Sequence, residues 1–114
     1  MAAHLYCTCF DKEQIPCSLS KNALSYLRNE LSYNGVVISD DMFMKGVQDY
    51  GCLEACIMGI KAGLDMFIFR ESDNVILEMI DKLVKIIEND DELKLRVLES
   101  NKRIEKLKKK YDLV

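Results

Sequence analysis

The chain has one proline, one histidine, no tryptophan and only five glycines in 114 residues. Proline- or glycine-rich linkers and low-complexity tails are thereby excluded, and what remains is the composition of one soluble globular domain. Charge of one sign is also missing. Lys and Arg number 16 against 19 Asp and Glu, a formal net charge of −3, so no overall cationic field exists to hold a nucleic acid or an anionic membrane. No apolar run approaches the roughly 20 residues that span a bilayer, and the start Met1-Ala2-Ala3-His4 lacks the basic and apolar regions of a signal peptide. A cytoplasmic location is the expectation. Five cysteines (Cys7, Cys9, Cys17, Cys52, Cys56) leave one over in any pairing scheme, so free thiols are expected, with Cys52 and Cys56 as small core residues on one helix face.

What the chain does have is 49% hydrophobic residues arranged in alternating periods. Ala2 to Tyr6 is a short apolar run expected as a buried strand, and Asp11 to Ser20, containing Pro16, is expected as a loop. Ala23, Leu24, Leu27 and Leu31 recur at helical spacing behind Ser20, a residue suited to capping the first turn. After the turn residues Tyr33-Asn34-Gly35 comes Val36-Val37-Ile38, β-branched and uniformly apolar, which predicts a parallel strand buried on both faces and ended by Asp40 and Asp41. A loop through Lys45-Gly46 leads to a helix carrying Leu53, Ile57 and Ile60 and stopped by Gly63. Met66 to Phe69 is the next apolar strand; Ser72 is expected to open a helix with Val75, Ile76, Met79, Ile80, Leu83, Val84 and Ile87; and Asp91 to Lys110 reads as a final charged helix. Strands alternating with helices of this length imply a parallel sheet with right-handed crossovers. The lysines at 106, 108, 109 and 110 suit a helix C-terminus and a solvated face, without the interleaved aromatics of a nucleic-acid surface.

In parallel α/β folds the reactive groups sit at the C-terminal ends of strands. Asp40 occupies such an end. Strand alternation places Asp40 with Ile38 and Val36 and turns Asp41 away with Ser39 and Val37, so the two carboxylates do not form a catalytic pair. A nucleophile or base, a supporting hydrogen-bond partner and a helix cap all remain open as roles for them. His4 with Cys7 and Cys9 superficially suggests a metal cluster, but alternation sets His4 and Tyr6 against the two cysteines and there is no Cys-x-x-Cys pair, so no metal is expected. No dinucleotide, P-loop or serine-hydrolase motif occurs, and no cofactor is expected.

The runs Pro16-Cys17-Ser18-Leu19-Ser20, Leu27-Arg28-Asn29-Glu30-Leu31, Gly35-Val36-Val37-Ile38-Ser39-Asp40-Asp41-Met42-Phe43-Met44 and Ala62-Gly63-Leu64-Asp65-Met66, in this order and spacing, resemble glycoside hydrolase family 3 and most of all its β-N-acetylhexosaminidase branch. The resemblance implies an α/β fold that is part of a (β/α)8 TIM-like barrel: its sixth, seventh and eighth strand-helix units plus a C-terminal helix, with residues 1–114 as the C-terminal fragment of the catalytic domain. It implies that Asp40 is the nucleophile of a retaining enzyme that removes terminal N-acetylglucosamine. Asp41 and Met44 match the branch's Asp-Asp-x-x-Met pattern, and His4 and Met44 are implied as substrate-binding. The branch's acid/base histidine lies in a segment absent from this sequence, and His4 does not match it.

A carbohydrate substrate is therefore expected, with no nucleic acid, no membrane, and either a complementary barrel fragment or self-association as partner. The isolated chain is expected to be inactive or nearly so. Alternatives are a non-catalytic or complementing piece of a split or decayed gene, and a family 3 β-glucosidase or phosphorylase. Three parallel strands cannot close a barrel, so exposed edges and an inward face around Val36, Ile38, Phe67 and Phe69 are expected to promote association.

Overall fold

The computed structural model describes residues 1–113. A short 3-10 turn at Cys17–Leu19 leads into α1 (Lys21–Asn29), followed by β1 (Ile38–Asp41), α2 (Lys45–Gln48), α3 (Cys52–Ala62), β2 (Met66–Ile68), α4 (Asn74–Glu88) and α5 (Asp91–Lys110). β1 and β2 are parallel neighbours. The expected strand Ala2–Tyr6 is reduced to isolated bridges, Ala2 to Ser39 in parallel and Tyr6 to Pro16 in antiparallel sense. Ala2 nonetheless lies along the free edge of β1: its amide donates to the Ile38 carbonyl at 2.7 Å and its carbonyl accepts from Asp40 at 3.0 Å. Beyond it the chain leaves the sheet because Leu5 bonds Cys17 instead (2.8 Å).

Helix starts follow side-chain capping chemistry. The Ser20 hydroxyl accepts the Ala23 amide at 3.0 Å, as expected for α1, and Asp90 does the same for Leu93 ahead of α5. Asp73, rather than Ser72, caps α4 through the Ile76 amide (3.0 Å); a carboxylate at this position also complements the helix dipole. The four-residue α2 within the expected loop was too short to leave a periodic signal.

The helices bury one face of the sheet. Leu24 of α1, Val37, Ala62 of α3 and Leu64 form one apolar cluster, and Met42, Val47, Ala55, Cys56, Ile76 and Met79 form another. Phe67 packs against both and Phe69 against the second. The inward-face assignment of Phe67 and Phe69 is thus corrected: β2 turns them to the helices, and alternation leaves Met66 and Ile68 with Val36 and Ile38. The expectation of strands buried on both faces is corrected as well. Val37 and Ser39 are buried, whereas Ile38 and Ile68 are half-buried and Met66 is 40% exposed.

Gly59 lets α3 lie directly on β2, since a Cβ there would meet Phe67 at 2.8 Å. Gly63 ends α3 as expected, with φ at +126°. A Cβ at Gly63 would find only ordinary contact, 3.5 Å from Leu24, so the cost of Gly63→Ala is conformational. We expect a loss of about 1–2 kcal/mol, read as a lowered midpoint of denaturant unfolding at constant slope.

At the N-terminal end of β2, Asp65 ties α1, α5 and the residue before β1 together. Its side chain has no solvent exposure and accepts from Arg28 of α1 (2.7 Å), the Val37 amide (2.9 Å), and Ser100 (2.7 Å) and Arg103 (2.9 Å) of α5. Burial alone pushes its carboxyl upward in pKa, but the Val37 amide, the Ser100 hydroxyl and the Arg103 guanidinium outweigh that and hold it below its ordinary value.

Candidate active site

The ladder between β1 and β2 is irregular where the acidic pair falls. Ile38 pairs with Met66 and Asp41 with Ile68, so three steps along β1 oppose two along β2, which is a bulge. Buried Ser39 absorbs the mismatch: its hydroxyl accepts the Ile68 amide at 3.1 Å, filling the ladder position that a main-chain carbonyl would occupy in a regular pair. A bulge beside a strand end re-aims a side chain, and the residue re-aimed here is Asp40.

The two carboxylates then differ in their partners. One Asp41 oxygen accepts from the Phe43 amide (3.0 Å) and the Arg70 amide (3.3 Å), while the other lies 3.7 Å from the Arg70 guanidinium. Asp41 is thereby committed to holding the loops after β1 and β2 together. Asp40 is half-buried, and its Oδ1 accepts only the amide of Asp41 at 2.7 Å. Among the described residues nothing donates to its Oδ2.

His4 is buried and does not reach the open face. Its Nε2 lies 2.9 Å from the Asp41 carbonyl, which can only accept, so Nε2 carries a hydrogen; Nδ1 is hydrogen-bonded to the Ser18 hydroxyl at 2.6 Å. The same Asp41 carbonyl accepts the Met44 amide at 3.1 Å. His4 therefore fixes the backbone one residue beyond Asp40, and both its ring nitrogens are occupied. Met44 stands at the start of α2 and is 42% exposed.

Close packing supports this arrangement. A Cβ at Gly46 would come within 2.9 Å of the His4 carbonyl oxygen and 3.0 Å of the His4 Cβ. Neither atom is the flexible end of a side chain. Gly46→Ala is expected to push α2 away from His4 and to cost about 1–3 kcal/mol; thermal unfolding checks the loss, and an unchanged melting temperature would contradict the packing.

The residue that sequence reasoning assigned too small a part is Arg70. It follows directly on the apolar strand expected at Met66 to Phe69, yet it pairs with Asp41 and stacks over Phe43, 5.7 Å from the ring centroid. The signal available was its place just past the end of β2, on the sheet edge where Asp40 and Asp41 close β1. The cysteines near His4 form no cluster with it: Cys7 and Cys9 lie in a turn beyond the strand-like segment, and among the described residues no group of three or more His, Cys, Asp or Glu is placed to hold a metal. A cavity of about 570 Å³ lies at the other end of the strands between Val36, Ile38 and Met66 and the α5 residues Arg103 and Leu107. Asp40 is not in its wall. Among the described residues no helix is long and apolar enough to cross a membrane.

The family model described as the glycosyl hydrolase family 3 N terminal domain matches residues 1–107. The chain belongs to glycosyl hydrolase family 3. It is 35% identical over 85 residues to a beta-hexosaminidase of Actinobacillus pleuropneumoniae serotype 5b (strain L20), covering 73% of this chain and 24% of that protein. It spans about a quarter of the length of such relatives. Among solved structures it resembles a family 3 beta-N-acetylglucosaminidase from Paenibacillus (TM-score 0.75, 27% identity, 88% of this chain and 19% of the other). It also has the fold of part of a fungal multi-domain family 3 beta-N-acetylglucosaminidase (TM-score 0.82, 24% identity, 94% and 13%). The α/β fold with its small parallel sheet is thus similar to part of this family's N-terminal domains.

Proposed function

We propose that this family 3 chain forms the nucleophile side of a retaining β-N-acetylglucosaminidase site, with Asp40 attacking the anomeric carbon. The observation that carries this reading is the unequal use of the neighbouring carboxylates: Asp41 is bound on both oxygens, whereas Asp40 keeps one oxygen without a donor. An attacking carboxylate needs an uncommitted oxygen and a fixed direction. The bulge and the Asp41 amide on Oδ1 fix the carboxylate, and Oδ2 is left without a donor among the described residues.

In the first step Asp40 Oδ2 bonds to the anomeric carbon, the glycosidic bond breaks, and the leaving oxygen takes a proton from a general acid. Water then attacks the same carbon and releases the carboxylate, with its proton returned to that acid. None of the residues described near Asp40 is assigned the acid's part; we place it in the portion of the catalytic domain that the relatives possess outside the matched quarter. His4 acts by positioning: it anchors the Asp41 carbonyl and with it the direction of Asp40. Exposed Met44 is left as the sugar-contacting member of the acidic motif.

The half-open sheet face carrying Ile38, Met66 and Ile68 is, in this reading, part of the interior of a (β/α)8 barrel whose remaining strands cover it and wall the sugar pocket. The test of substrate class is to join the chain to the rest of a family 3 catalytic barrel and compare release of nitrophenol from the N-acetyl-β-glucosaminide and the β-glucoside. Preference for the N-acetylated sugar supports the proposal; preference for the glucoside overturns it.

A further inference from the structure

Cys7 and Cys9 lie outside everything assigned above. They are the first and third residues of a turn closed by the Phe10 amide on the Cys7 carbonyl at 3.1 Å, and their Sγ atoms are 2.8 Å apart. The turn is held from both sides. Leu5 and Tyr6 are tied to Cys17 and Pro16, and Asp11 receives the Ser20 hydroxyl and the Asn22 amide group. The thiols therefore meet in the folded chain without any rearrangement, and Cys9 is exposed while Cys7 is partly so.

We propose that Cys7 and Cys9 form a redox-active dithiol that exchanges with low-molecular-weight disulfides and closes to an intrachain bond. The Cys7 thiolate attacks one sulfur of glutathione disulfide, forming a mixed disulfide and releasing one glutathione thiolate. The Cys9 thiolate then attacks Cys7 Sγ, forming the Cys7–Cys9 bond and releasing the second glutathione. The two cysteines lose two electrons and two protons, and one glutathione disulfide becomes two thiols.

The order of attack follows from the local hydrogen bond. The Cys9 thiol donating to Cys7 lowers the Cys7 pKa below its ordinary value and raises that of Cys9, so Cys7 is the more readily ionised nucleophile. The other cysteines provide internal comparisons. Burial raises Cys17 and Cys52, and pushes buried Cys56 up to about 12.

The experiment equilibrates the full chain with mixtures of reduced and oxidised glutathione, quenches with acid, alkylates free thiols and maps tryptic peptides. Cleavage after Lys12 and Lys21 separates Met1–Lys12, which holds Cys7 and Cys9, from Glu13–Lys21, which holds Cys17. The expected product is Met1–Lys12 lighter by two hydrogens, with Cys52 and Cys56 still alkylated. In Cys9→Ser the reaction should stop with one glutathione on Cys7, and in Cys7→Ser the internal bond should be lost. Recovery of Met1–Lys12 fully alkylated, carrying glutathione on both cysteines, or joined to Glu13–Lys21 through Cys17, would each overturn the proposal.

Discussion

Asp65→Ala should destabilise the chain by about 3–5 kcal/mol, because it leaves the charges of Arg28 and Arg103 partly buried without the carboxylate that pairs them. Arg96 lies 3.8 Å from the same carboxylate and would be weakened with them. The magnitude is a large fraction of the stability of an ordinary domain, so broad loss of cooperative unfolding is the expected extreme. Asp65→Asn should cost less than Asp65→Ala, since the amide oxygen can keep the Val37 hydrogen bond. The pH dependence has a definite sign. Asp65 has a lower pKa folded than unfolded, so its contribution is complete above the unfolded carboxyl value of about 3.9 and is lost as pH falls from there through the folded value. Denaturant midpoints measured from pH 7 downward should show a steeper acid decline in the wild-type chain than in Asp65→Asn. Equal slopes would remove Asp65 as the linked group.

Asp40→Ala, made in the chain joined to the rest of a catalytic barrel, should reduce turnover by a factor on the order of 10⁴–10⁶, the scale seen when a covalent nucleophile is deleted from an otherwise intact site. Stability should change little, since the side chain is half-buried and accepts only one local hydrogen bond. Asp41→Asn provides the contrast. It loosens the Phe43 and Arg70 amides and the Arg70 ion pair, so it should lower stability and activity together, with the remaining activity still dependent on Asp40. Rates from a chromogenic N-acetylglucosaminide, paired with unfolding midpoints for each variant, separate the two roles.

Much of this molecule was legible in its residues because the signals were local. Ser20 capped α1, Gly63 ended α3, and the bounds Asp91–Lys110 of α5 matched, since caps and 3.6-residue periods act within a few positions. The strand expected at Ala2–Tyr6 is reduced to bridges and the other two end one to three residues from the expected place, because strand ends are set by partners elsewhere: β1 extends through Asp41 only by virtue of the bulge against Ile68. Alternation set Asp40 apart from Asp41. It had no access to the Arg70 pairing or to the Ser39 hydroxyl in the ladder, contacts that join residues about thirty apart. Asp65 was visible only as one residue of the run Ala62 to Met66 for the same reason; its side-chain partners lie on α1 and α5, and in sequence Arg103 reads as one more charge on a solvated helix. His4 illustrates a different limit. A single histidine near a strand end suits a ligand-binding group, and only its two hydrogen bonds establish that it braces the backbone.

The most direct test of Asp40 as nucleophile is to trap the covalent intermediate. An N-acetylglucosaminyl fluoride carrying a second fluorine at C5 has a leaving group that needs no protonation, and slowed hydrolysis allows the glycosyl ester to accumulate. After reaction with the chain joined to the rest of the barrel, acid quench and digestion, the label should appear on the peptide Asn29–Lys45, with fragment ions placing it on Asp40. A label on Asp41, a label on any other peptide, or full turnover with no covalent adduct and an undiminished rate in Asp40→Ala would contradict the account.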